Sequence, residues 1–155
     1  KRCAQRLSGC ASSEAIAMFA IAGARQPIVA PTPTNKLLPF EKTLLDACTA
    51  ALAPEDARRL ALQVACINHI KRTSDWRTIE LHSKRLLWNH WPAASLFVRR
   101  EPFLLATVAC QFGHQPARVE IWAGGGHVAS LASTVGLSGL SIAGPLSILA
   151  VRTAD

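Results

Sequence analysis

The sequence predicts an α+β fold, with helices from the first half packed on one face of a mostly antiparallel sheet of about four to six strands. Three observations predict it. Apolar residues recur at Leu37, Phe40, Leu44, Leu45, Cys48, Ala51 and Leu52, a stripe of helical period. Pro54-Glu55-Asp56 restarts a helix, because proline is tolerated in the first turn and acids suit its positive end. The stretch Ser95 to Ser133 then reads as short β-prone runs bounded by Gly and Pro, the pattern of an antiparallel meander.

Residues 1–25 read as an N-terminal helical segment with Ser12 or Ser13 as its cap. Their basic, Ser-rich composition also resembles an organellar presequence, residues 15–22 resemble a short secretory core, and Lys1 in place of Met suits a processed chain. Residues 26–35 hold three prolines without helical period and form an extended linker. An α+β core domain is expected over 36–135, followed by a small-residue tail, 136–155, that packs on the core or on a partner.

Within the core, Pro39 opens the first helix. The second is expected from Ala57 to Ile70, although alternation at Leu60, Leu62, Val64 and Cys66 also allows a strand ending near His69. Thr73-Ser74-Asp75 is a turn, and Trp76 to His82 alternates as a strand. Residues 86–92 connect to the meander. Its first run starts at Ser95 and ends at the break Arg99-Arg100-Glu101-Pro102. The run from Phe103 to Cys110 is expected to be central and covered on both faces. Gly113-His114-Gln115-Pro116 and Gly124-Gly125-Gly126 are the next turns, and Leu146 to Val151 is a last strand-like run. The expected core includes Leu44, Leu45, Leu52, Leu60, Val64, Ile79, Leu96, Leu104, Ala106, Val108, Ile121 and Leu131.

Half of the 155 residues are hydrophobic, which argues against global disorder. Seventeen Lys and Arg against ten Asp and Glu leave +7, favouring anionic partners. Four Trp, five Phe and no Tyr do not form the regular exposed array of base-stacking RNA modules. Cys3, Cys10, Cys48, Cys66 and Cys110 are scattered and odd in number, which suits free thiols in an intracellular reducing compartment, the cytoplasm or an organellar matrix. No Lys, Arg, Asp or Glu occurs between Ile121 and Val151, yet five Ser, several Gly and Pro145 weigh against a membrane span.

The motifs that carry chemistry are weak. Cys66 with His69 and Cys110 with His114 sketch a zinc site, but both thiols sit in core-like runs. A nucleophilic Cys110 with His82, His114 or His127 requires an accessible thiolate, and nothing in the sequence places the pair together. The glycines at 124–126 lack the Lys and the following helix of a phosphate loop. No catalytic residue, metal site or cofactor is expected. The expected function is a non-enzymatic interaction or scaffolding subunit of a larger assembly, bound to a protein partner or to a second copy. The alternative is a basic accessory protein on structured RNA or DNA, of ribosome-associated type. Its site is Lys71, Arg72, Lys84, Arg85, Arg99 and Arg100 with Trp88 and Trp91, provided the three basic pairs converge. A Cys/His-centred enzyme is the third reading.

Overall fold

The computed structural model describes residues 36–85 and 88–154. The expectations for residues 1–25 and 26–35 lie outside the described residues. The chain is α+β: α1 (Pro39–Ala51) and α2 (Pro54–Cys66) precede and cover a six-stranded, wholly antiparallel sheet. Its strands are β1 (His69–Arg72), β2 (Thr78–His82), β5 (Phe103–Phe112), β6 (Gln115–Gly124), β7 (His127–Ser133) and β8 (Leu146–Thr153), in the order β1-β2-β7-β6-β5-β8. A separate small ribbon pairs β3 (Lys84–Arg85) with β4 (Trp88–Asn89), and α3 (Leu137–Ala143) leads into β8. None of the helices among the described residues is long and apolar enough to cross a membrane.

Local chemistry sets the helix ends. Pro39 and Pro54 stand in the first turns, and Leu52 and Ala53 between the helices are extended, as residues before a proline favour. The apolar stripe Phe40, Leu44, Leu45 and Cys48 faces the sheet and is buried with Leu60 of α2. From the sheet come Ile70, Ile79, Leu81, Val108, Phe112, Val119, Ile121, Val128 and Leu131. The opposite face of the sheet presents the half-buried Thr107, Ala109, Glu120 and Trp122.

Several elements depart from the sequence expectation. The second helix stops at Cys66 and a strand begins at His69, where pairing with β2 replaces the last helical turn. Trp76 belongs to the turn, not to the strand: its φ is +57, and its ring is buried parallel to Phe40 at 6.0 Å. Burying an indole outweighs the ~1–2 kcal/mol that left-handed backbone costs a non-glycine residue. Ser95 to Val98 is not a strand, since a 3-10 turn over Ala93–Ser95 is followed by irregular chain. Gln115 and Pro116 already belong to β6, so the turn before it is Gly113-His114 alone. β5 is internal but covered on one face only. A bulge that skips Leu105 turns Leu104 toward Trp122, so Leu105 and Phe97 fill the core where Leu104 and Leu96 were expected.

At the end of the sheet marked by Trp76, a buried ion pair ties α1 to β1. Arg72 Nε donates to Glu41 Oε1 at 2.7 Å and its Nη2 donates to Oε2 at 2.8 Å. Glu41 Oε2 also accepts the Leu38 N–H at the open start of α1. The Glu41 and Arg72 side chains are 0% and 6% exposed. Removing one partner from such a pair strands a buried charge. Glu41→Ala is therefore expected to cost about 3–5 kcal/mol in urea unfolding, with part recovered in Glu41→Leu/Arg72→Leu. A single-variant loss below ~1 kcal/mol would show that the pair does not tie the helix to the sheet.

Candidate functional site

The other end of the sheet gathers the polar chemistry. Gln63, fully buried in the last turn of α2, holds it together. Its Oε1 accepts the Val128 N–H at 2.6 Å, and its Nε2 donates to Ser95 O and to Gly126 O. Beside this contact β6 and β7 lose register, with Ala129 skipped, so the side chain supplies an acceptor where the ladder is irregular. Gly125 and Gly126 make the two-residue turn with φ of +63 and +84, and such turns need two residues tolerant of positive φ. A side chain at Gly126 would collide with Arg100, whose Nη1 donates to Gly125 O at 3.2 Å.

Cations accumulate around this turn. Asn68 exchanges two 2.8 Å hydrogen bonds with the Lys84 backbone, which fixes β3 beside the start of β1. His69 and His82 are direct cross-strand partners with ring centroids 5.8 Å apart. Trp91 stacks on His127 at 4.8 Å. Arg99 lies over the Phe103 ring at 4.8 Å and 3.9 Å from Glu101. Lys84, Arg85 and Arg100 have no acidic partner among the described residues. The 97–103 segment also lines a cleft of about 680 Å³ with Asp56 and Arg59, but Arg59 is paired to Glu55 and Asp56 there.

The histidines register this crowding. Burial pushes the His127 pKa down; a backbone contact with Gly125 opposes the shift, and His82 and Arg100 add to it. His127 Nδ1 and the neighbouring Trp91 Nε1 are nevertheless buried without a properly directed hydrogen bond. The His69 pKa is lowered by desolvation first, then by Lys84 and His82.

The sequence-predicted residues therefore separate. Lys84-Arg85 and Arg99-Arg100 share the turn end with Trp91, and Trp88 follows in β4 opposite Arg85. Lys71 lies midway along β1, 3.6 Å from Glu80, and Arg72 is engaged by Glu41 at the far end. Convergence of all three basic pairs is thus corrected to two: β1 carries Lys71 and Arg72 away from the turn, and burial claims Arg72. His69, His82 and His127 were missed as members of this cluster. Their juxtaposition arises from strand register, which leaves no local motif.

The two buried thiols are chemically quiet. Burial pushes the Cys48 pKa up to about 12 and that of Cys110 up to about 11, so both stay protonated at neutral pH. Cys110 Sγ is directed to Ala117 O at 3.6 Å rather than to a histidine. Among the described residues, no group of three or more His, Cys, Asp or Glu is placed to hold a metal ion. No protein-family model, curated protein or solved structure matches the chain.

Gln63→Ala removes the buried partner of Ser95 O and of the Val128 N–H, while Gly126 O keeps the Phe97 N–H, and a loss of about 3 kcal/mol in urea unfolding is expected. The pH response has a definite sign. A histidine whose folded pKa is lowered contributes stability above its usual value of 6.5, and that stability is lost as pH falls through the folded pKa. The denaturation midpoint should therefore drop on acidification below 6.5, and His127→Gln should reduce the drop.

Proposed function

We propose that this chain is a non-enzymatic interaction subunit that binds an extended strand of a protein partner along the outer edge of β8. The supporting observation is the edge itself. β8 runs for eight residues, pairs on one side with β5, and carries Arg152 as its single charge. A bulge skips Leu149 and leaves that side chain 61% exposed. Long, apolar, uncapped edges are templates for strand addition, and chains that do not use them protect them with lysines. The lack of charge from Ile121 to Val151 has a simpler cause, because Val128, Leu131 and Leu137 are buried in the core. Among the described residues, the buried Cys48 and Cys110 stay protonated and are not activated nucleophiles, which leans the reading toward binding. Cys48, Cys66 and Cys110 are free thiols, which suits a reducing compartment such as the cytoplasm or an organellar matrix.

In the absence of its partner such an edge pairs with a second copy. Sedimentation velocity across a concentration series should show reversible self-association of the purified chain. Ser147→Lys/Leu149→Lys, both at exposed positions, should abolish it without loss of helix or strand signal. A monomer at every concentration, or association that survives the two lysines, would overturn the docking edge.

A further inference from the structure

Beyond the β8 edge, the turn end of the sheet gathers a second set of chemically distinctive groups. The cationic and protonatable groups there follow one another in a line. Arg85 and Lys84 start it on β3, and Lys84 lies near enough to His69 to act on its titration. His69 faces His82 across the β1–β2 pair at 5.8 Å, β7 follows β2 in the sheet with His127 at its start, and His127 feels both His82 and Arg100, whose chain neighbour Arg99 ends the line. The acids that touch the line are Glu80, 3.4 Å from His82 Nε2, and Glu101 beside Arg99. Glu80 is itself shared with Lys71. Exposed His90 adds a further titratable group next to Trp91.

We propose that this line binds the phosphodiester backbone of a nucleic acid. Positive groups in series match a polymer of regularly spaced phosphates better than one compact anion, and arginine forks suit phosphate oxygens. Unpaired cations held close together repel one another, and a polyanion laid along them removes that repulsion. The same logic couples binding to protons. A phosphate beside His69, His82 and His127 favours their charged forms, so binding takes up protons and tightens as pH falls.

The test is fluorescence anisotropy of the full chain with two labelled probes of equal length, a DNA duplex and an RNA hairpin, over a salt series. Binding with a steep salt slope is expected for at least one probe, and the tighter of the two names the source of the phosphates. On the DNA duplex, Lys84→Ala/Arg85→Ala should flatten the log–log slope by about 1.8, two contacts at about 0.9 each. Arg99→Ala, which spares the Arg100 contact to Gly125, should flatten it by about 0.9. Affinity of the native chain should rise about five-fold from about pH 7.5 to about pH 6, and the triple variant His69→Gln/His82→Gln/His127→Gln should lose that rise. Lys42→Ala, on α1 and paired with Asp46, is the control and should leave the slope unchanged. No binding at low salt would overturn the proposal. So would equal weakening by the Lys42 control, which would reduce the effect to net charge. Equal competition by polyglutamate would reassign the line to acidic protein segments and overturn the phosphodiester class.

Discussion

One buried amide organises the end of the sheet on which the polar groups gather. Gln63 is in the last turn of α2 with no exposed surface, and its two ends serve three backbone groups from the 93–97 segment, the β6–β7 turn and the start of β7. Gly126 O also takes the Phe97 N–H at 2.7 Å, but Ser95 O and the Val128 N–H depend on Gln63, and leaving them buried without it costs more than any one surface contact. The position of Gly126 follows from Gln63, and Arg100 and His127 are placed around that turn. Helix, turn and basic residues are thereby referred to a common point. Had that residue been a leucine, α2 would still find the core, but the turn would lose its anchor.

The two ends of the sheet handle charge in opposite ways. At the Trp76 end, Arg72 is desolvated and matched by Glu41, with the carboxylate also serving the start of α1. Charge there fixes where α1 meets β1 and leaves nothing for a ligand. At the turn end, Lys84, Arg85 and Arg100 stay in water without acidic partners among the described residues, and His69 and His127 are held toward neutrality by burial first and then by the neighbouring Lys84, His82 and Arg100. Solvation tolerates such a cluster because the long side chains keep their heads in water, so its cost to stability is modest. The net charge of +7 is thus unevenly placed, and position rather than total gives it meaning.

Much of the fold was legible because it is written in short-range chemistry. Pro39 and Pro54 mark helix starts, the stripe through Leu44 and Cys48 marks a buried helical face, and the glycines at 125 and 126 mark a hairpin. The alternating runs from Phe103 to Leu131 gave three strands for the same reason, since period two reports a half-buried strand wherever it lies. The errors fall where a long-range contact outweighs a local preference. β2 draws His69 and Ile70 out of the helix that precedes them, and Phe40 draws Trp76 into a left-handed turn.

By itself, then, the sequence determined the class of fold, the two leading helices, the strands from Phe103 to Leu131 and most of the buried face, because these depend on residues within a few positions of one another. Tertiary structure alone decided the faces, the edges and the company each charged group keeps. Skipping Leu105, Ala129 and Leu149 shifts register in three strand pairs, and a shift of one residue exchanges the two faces of a strand. That β8 is an edge among the described residues, that Arg72 is occupied, and that Lys84 lies near His69 and Arg100 near His127 are matters of pairing between distant segments. No local pattern encodes them, since the path between the partners is set only when the whole sheet closes around its core.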